Sequence, residues 1–360
     1  MKKVFALAAL LTCGFGAAAA QDKPAAAAQT IEPDGTVHVP AYTLPPSEYL
    51  SAEAKAALPR TPAEMGGSFE GLVKSGRVPQ IRSAMPPALE KEIENLLAEY
   101  DVWTEPVTVA GVRGIWVRPN KPQKGKPRIL INLSAGAFLF ASASKNGMQE
   151  SIPLAGLGKF EILSLDYSQA PETTFPAASI DVEKVYRELL KTHRPSEIGL
   201  FGNSAGGQLV GQAIAWFQRQ NLPVPAAAGL FCATADARWG GDAWHWHKPV
   251  GGSHEPPFLF EKFYYGSHDL DDPLISPIRS DAVLAAFPPT LLLTSTRAGE
   301  MSATVDAHRR LVRNRVDADL VVWDGLGHCF FTDRSLPETR EAQEIMVRFF
   351  TRHVGQRSKQ

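Results

Sequence analysis

Three cysteines in 360 residues are too few for a disulfide scaffold. Nor is there an excess of charge of either sign: 37 Lys plus Arg face 38 Asp plus Glu, and no dense basic run carries the interleaved aromatics that track a phosphate backbone. Nucleic acid is therefore not an expected partner. The chain also lacks internal repeats and an HExxH metal signature. Its most apolar run, Val4 to Ala20, makes a poor membrane span because it is short and diluted by Gly14, Gly16 and several alanines, so stable membrane insertion is not expected. What is present is an ordinary composition, 44% hydrophobic and 21% charged, able to bury a large core as one large domain or two smaller ones.

The first twenty residues differ from the rest. Lys2 and Lys3 precede an apolar stretch that ends in small residues, the layout of a secretory signal peptide cut after about Ala20. The expectation is export, periplasmic or secreted. A lipid anchor at Cys13 is the alternative, but Leu11 and Thr12 suit such a site badly. Without Cys13 only Cys232 and Cys329 remain. Their spacing says nothing about pairing, and they are expected to be free thiols.

Residues 21–60 are rich in Ala and Pro and read as a linker that becomes an arm lying on the body. Leu89, Ile93, Leu96 and Leu97 then recur at helical spacing. From Glu105 the register changes: "EPVTVAGVRGIWVRP" predicts a hairpin turning near Ala110 and Gly111. Short apolar strands follow at "RILINL", "EILSLDY", "IGLFG", "AAGLFC", "TLLLTS" and "DLVVWDG", separated by helix-length segments. Such alternation implies an α/β fold with a mostly parallel sheet covered on both faces. The stretch at about 236–268 breaks the rhythm with Trp239, Trp244, Trp246, Phe258, Phe260, Phe263, Tyr264 and Tyr265. It is too aromatic for a solvated loop. Following the C-terminal end of a strand, where open α/β sheets bind ligands, it reads as a lid; a small satellite core under a long loop is the compatible, plainer reading.

The most informative residues are "IGLFGNSAGG". An apolar strand, Ile198 to Phe201, runs into Gly202, Asn203, Ser204, Ala205 and Gly206, and a helix-patterned segment begins at once. A turn this tight needs the flanking glycines. It lifts the Ser204 hydroxyl above the sheet at a helix N-terminus, where the N–H of Ala205 can face an oxyanion.

With these residues in view, the chain resembles the hormone-sensitive-lipase family of α/β-hydrolase esterases from about Pro127 to Phe331. "GNSAGG" at 202–207 matches that family's GDSAGG elbow, and "DYSQAPETTFPAASID" at 166–181 matches its DYRLAPExxFPAAxxD block. "DPLISP" at 272–277 and "DGLGHCF" at 324–330 fit too. The resemblance implies an α/β-hydrolase sheet in which Ser204 is the nucleophile and His328, in a Gly-flanked loop after a strand, is the base. The family's HGGG loop falls on "SAGAF", with Ser134 for histidine and Ala135 for the first glycine. Gly136 and Ala137 keep the two positions whose amides would join Ala205 in the oxyanion hole, because backbone amides do not depend on side-chain identity once the turn forms. At the usual acid the chain departs from the pattern. The expected aspartate is Ala298, a second common acidic position is Ala303, and Glu300 is the remaining carboxylate in the loop. Its extra methylene can make up for a displaced backbone, so Glu300 is the expected acid.

His245, His247 and His254 in "HWHKPVGGSH" could suggest a metal, but a third ligand is not evident and no metal or other cofactor is expected. The expected organisation is a signal peptide at 1–20, an arm with a lid contribution at 21–100, and a catalytic domain at 101–360 with the lid insertion. The expected activity is hydrolysis of short to medium acyl esters through an acyl-enzyme, the partner being a small-molecule ester. A degenerate hydrolase that binds a hydrophobic ligand, or a lactone hydrolase using the same site, are the alternatives. Oligomeric state is not legible.

Overall fold

The segment Ile129–Leu133 is buried at every position and sits near the middle of an eight-stranded sheet. In a computed structural model of the chain, residues 29–58, 69–122, 127–247 and 262–355 are described. The expected signal peptide lies outside them. The described residues up to Pro45 form a unit of their own, in which Thr30–Ile31 pairs antiparallel with Val37–His38. The second unit carries the sheet, whose strands are β1 (Val102–Val109), β2 (Val112–Pro119), β3 (Ile129–Leu133), β4 (Glu161–Leu165), β5 (Ile198–Asn203), β6 (Ala227–Phe231), β7 (Thr290–Ser295) and β8 (Ala318–Trp323).

Their spatial order is β8-β7-β6-β5-β3-β4-β2-β1. The strands from β8 to β4 run parallel, and β2 and β1 are antiparallel additions at one edge. The hairpin joining β1 and β2 turns at Ala110 and Gly111 with φ of 49° and 83°, the left-handed pair that a two-residue turn demands. Each expected strand is present.

Alternation along the strands sorts the core into two clusters, one on each face. Ile129, Ile131 and Leu133 of β3 join Val182, Val185 and Tyr186 of α3 (Ala177–Leu189) and Leu209, Ala213 and Phe217 of α4 (Ala205–Arg219). Leu130 instead joins Ile93 and Leu96 of α1 (Pro87–Tyr100), Ile152 of α2 (Asn146–Gly158), and Met346 and Phe350 of α6 (Pro337–His353). From α5 (Met301–Arg313), Ala307 and Leu311, four positions apart and so on one helical face, pack into the first cluster. Leu50 and Ala54, from the region expected to form an arm, are buried in the second cluster, and the Ser51 N–H and hydroxyl both donate to Glu338.

Crossovers between parallel strands leave the C-terminal ends of β3, β5, β6, β7 and β8 along one edge of the sheet, where a topological crevice gathers loop residues. The loops that follow these five strands carry the residues singled out above. Among the described residues no helix is long and apolar enough to cross a membrane.

Candidate active site

Ser204 sits between β5 and α4 with φ 54° and ψ −124°, a backbone conformation that non-glycine residues rarely adopt. The turn is tight because Gly202 and Gly206 both press against the carbonyl oxygen of Leu133. A Cβ would come within 2.4 Å of that oxygen from Gly202 and 1.7 Å from Gly206, so no larger residue fits either place.

His328 follows β8 in the loop Asp324–Cys329, and its Nε2 lies 3.0 Å from Ser204 Oγ. Glu300 ends the loop after β7, and its Oε2 lies 3.0 Å from Nδ1 of the same ring. The three side chains meet from three strand ends. With Glu300 as a carboxylate, Nδ1 carries the proton and donates to it, which leaves Nε2 free to accept from the serine hydroxyl. Glu300 has no exposed side-chain surface, whereas 39% of the His328 side chain is accessible. Thr294 Oγ1 donates to the other carboxylate oxygen at 3.3 Å, and the Glu300 carbonyl accepts from Thr304 N–H, which roots the residue at the start of α5. The walls around the ring desolvate it and favour its neutral form. The charge and hydrogen bond of Glu300 outweigh that effect and hold the imidazole pKa above its ordinary value.

Ala298 and Ala303, where the family pattern carries acids, are both buried and apolar. Glu300 thus occupies its place by ending the loop a residue before the helix rather than earlier in it.

The loop Ser134–Phe138 after β3 is bent by positive φ at Gly136 (146°), Ala137 (52°) and Phe138 (54°). The Gly136 carbonyl accepts from the N–H groups of Leu139 and Phe140, while the N–H groups of Gly136 and Ala137 bond to no other described part of the protein. Gly136 and Ala137 line the same cavity as Ser204, and Ala205, next to the serine in sequence, is the first residue of α4. The side chains that shape this loop were not singled out by sequence. Tyr167 donates its hydroxyl to Ser134 O at 2.7 Å, Asn146 Nδ2 donates to Ala135 O at 2.9 Å, and Ala135 N–H donates to Glu150 Oε1 at 3.0 Å. Tyr167 belongs to the quoted "DYSQAP" block, but Asn146 and Glu150 sit in an otherwise unmarked helix.

Cys232 and Cys329 correct the expectation of free thiols: they are joined in a disulfide, with Cα atoms 5.1 Å apart though the residues are 97 positions apart in sequence. Cys232 follows β6 and Cys329 follows His328, so the sheet brings together two residues whose separation concealed the pair. Cys232, His328 and Cys329 also form the one group of metal-ligand spacing among the described residues, but its two sulfurs are bonded to each other. Of the three histidines considered for a metal, His247 is buried with Nδ1 against Trp244 O at 2.8 Å, His245 belongs to no such group, and His254 lies outside the described residues.

Ser204 and His328 open into a cavity of about 740 Å³ that is also lined by Gly136, Ala137, Glu92, Gln149, Glu150, Asp333 and Arg334. This wall is more polar than the aromatic insertion suggests, because none of the described aromatics of that segment lines it. Tyr264 stacks on Phe138 at 4.3 Å and is buried in the core with Tyr265, and Trp239 is the one whose ring approaches His328, at 5.4 Å. Phe258 and Phe260 lie outside the described residues.

Sheet order, strained serine turn and strand-end loops together define an α/β hydrolase. A family model described as the alpha/beta hydrolase fold matches residues 130–332, more than half of the chain, and the chain belongs to that family. An acetyl-hydrolase of Streptomyces hygroscopicus is 29% identical over 259 residues, covering 69% of this chain and 83% of its own. An esterase of Acinetobacter venetianus is 24% identical over 300 residues, 78% of this chain and 94% of its own. Among solved structures, an esterase matches with a TM-score of 0.76 at 27% identity, covering 88% of this chain and 98% of the other. An esterase from the bacterial hormone-sensitive lipase family matches with a TM-score of 0.66 at 25% identity, covering 81% and 100%.

Proposed function

We propose that the protein hydrolyses small carboxylic esters through an acyl-enzyme on Ser204. The carrying observation is the unbroken line from Glu300 through His328 to Ser204, each link 3.0 Å, ending in a cavity that Gly136 and Ala137 also line. Ser204 Oγ attacks the ester carbonyl carbon as its proton passes to His328 Nε2. Glu300 steadies the resulting imidazolium, and the oxygen of the tetrahedral intermediate takes its negative charge toward the N–H groups of Gly136, Ala137 and Ala205. Nε2 then returns the proton to the departing alcohol as the C–O bond breaks. Water repeats the sequence to release the acid and restore the serine.

No cofactor enters these steps. The substrate class is short to medium acyl esters, acetyl esters among them: a cavity of about 740 Å³ suits a small ligand, and relatives are named as acetyl-hydrolase and esterase. Export is part of the same reading, and the Cys232–Cys329 disulfide supports it, since such bonds persist in oxidising compartments.

The test is release of p-nitrophenol from a short p-nitrophenyl ester by the wild type and by Ser204→Ala. The reading expects turnover in the first and a loss on the order of 10⁵ to 10⁶ in the second. Equal rates would end it.

A further inference from the structure

Glu150 is a buried carboxyl that the steps above do not use. It is 7% exposed, on α2, and one of its oxygens accepts from Ala135 N–H at 3.0 Å. The other oxygen has no hydrogen-bond partner among the described residues, and no Lys, Arg or His acts on the group. Resting on the esterase reading, we propose that Glu150 is a positioning residue for the oxyanion loop and performs that role as a neutral acid.

The geometry carries the first half of this inference. Two successive peptide groups lead to the Gly136 and Ala137 amides: the Ser134–Ala135 peptide is held by Glu150 on its N–H and Tyr167 on its carbonyl, and the Ala135–Gly136 peptide, which carries the Gly136 N–H, is held by Asn146 on its carbonyl. Ser134 contributes no side-chain tether of its own, since its buried hydroxyl has no partner among the described residues. Without Glu150 the Ala135 N–H loses its acceptor and the Ser134–Ala135 peptide keeps only its Tyr167 bond, so it can tilt and carry the following amides off the oxyanion.

Electrostatics carries the second half. A carboxylate here would place an anion in the wall of the cavity where negative charge grows during attack on the ester, and would oppose the amides. Burial disfavours that anion. It outweighs the Ala135 N–H and the nearby Asn132 and Asn203 amides, and pushes the acid up to about 8. The charged groups that share its cavity walls are Glu92 from α1 and His328, Asp333 and Arg334 from the stretch after β8; α6 and β5 add only the uncharged Gln343 and Asn203. Lys145, just before α2 on the same segment, donates instead to the carbonyls of Ile81 and Arg82.

The test compares Glu150→Gln and Glu150→Ala with the wild type across pH on the p-nitrophenyl ester. Glu150→Gln keeps an acceptor for Ala135 N–H and cannot ionise, so it retains kcat within about twofold at pH 6.5 and lacks the alkaline fall of the wild type. Glu150→Ala loses about ten- to a hundredfold in kcat with KM changed about twofold or less. An infrared difference spectrum of wild type against Glu150→Gln reads the proton directly, with a protonated-carboxyl band at pH 6.5 that disappears through about pH 8. That band needs no turnover, so it stays decisive even if Ser204 proves inert. An unchanged kcat in Glu150→Ala, an alkaline fall that survives in Glu150→Gln, or the absence of the band would each overturn the proposal.

Discussion

Two loops of the site are held in opposite ways. The loop after β8 presents a side chain, His328, and is fastened through its backbone. The Cys232–Cys329 disulfide ties it to the end of β6, Ser295 Oγ donates to Gly327 O at 2.8 Å, and Arg297 N–H donates to Leu326 O at 3.0 Å. The loop after β3 presents backbone amides and is fastened by side chains, with Tyr167 and Glu150 gripping the Ser134–Ala135 peptide and Asn146 the next one. The difference follows from what each loop must aim. An imidazole with 39% of its surface accessible gets little restraint from packing, so its Cα has to be fixed and its ring steered by Glu300. An amide has no rotamer to fix, and its direction is set wholly by the tilt of the peptide plane. Covalent anchoring serves the first need and hydrogen bonds at peptide groups serve the second.

The largest expected effect comes from removing the steering of the ring. Glu300→Gln keeps the shape but can present its amide N–H₂ to Nδ1 and favour the wrong tautomer, so kcat should fall by about 10³ to 10⁴. The pH profile sharpens the reading. On the proposed mechanism His328 must be neutral to accept the serine proton, and Glu300 holds its pKa above the ordinary imidazole value. Activity of the wild type is therefore lost as pH falls through that raised value, and in Glu300→Gln the acidic limb should move to lower pH. A kcat/KM profile from pH 5 to 8 on both proteins decides it, and an unmoved limb would detach Glu300 from the base.

Next in size is the covalent anchor. Cys232→Ser with Cys329→Ser opens a tether spanning 97 positions and should lower unfolding stability by about 2–5 kcal/mol, read in urea melts. It should also cost kcat on the order of ten- to a hundredfold, because the His328 backbone loses its fixed point. Reduction of the wild type by excess dithiothreitol, which gives two thiols and the oxidised dithiol, should reproduce both losses. Melts and rates indistinguishable from those of the oxidised protein would show that the other contacts of the loop suffice.

How much of this was legible in the sequence depends on whether the signal is local. The strands and the Gly202–Gly206 turn are local patterns, in which apolar alternation and two small residues around Ser204 dictate a buried strand and a tight elbow. The placement of Glu300 was legible only by elimination, with Ala298 and Ala303 standing where the resemblance called for acids. The disulfide and the Glu150 clamp were not legible, because each depends on contact between residues far apart in the chain or on a helix face that periodicity does not mark. Glu150 sits on a helix buried nearly all round, so no polar face singled it out. The aromatic insertion misled in one respect: Tyr264 and Tyr265 are core residues under Phe138, and the described cavity wall is set instead by polar side chains of α1, α2 and the stretch after β8.

The smallest effect tests the contrast most directly. Asn146→Ala removes the donor from Ala135 O and leaves Glu150 and Tyr167 on the preceding peptide. One part-buried hydrogen bond contributes about 0.5–1.5 kcal/mol, so kcat should fall roughly two- to tenfold. Stability should change by less than about 1 kcal/mol, since Asn146 is the first residue of α2 and its helix is held by the residues buried behind it. The cysteine variants shift stability and rate together, whereas Asn146→Ala should shift rate nearly alone. Measured with melts and kcat on one preparation, a matched loss of both would mean that the loop after β3 is also a structural anchor. A rate loss by itself would place peptide tilt, and nothing larger, under the control of α2.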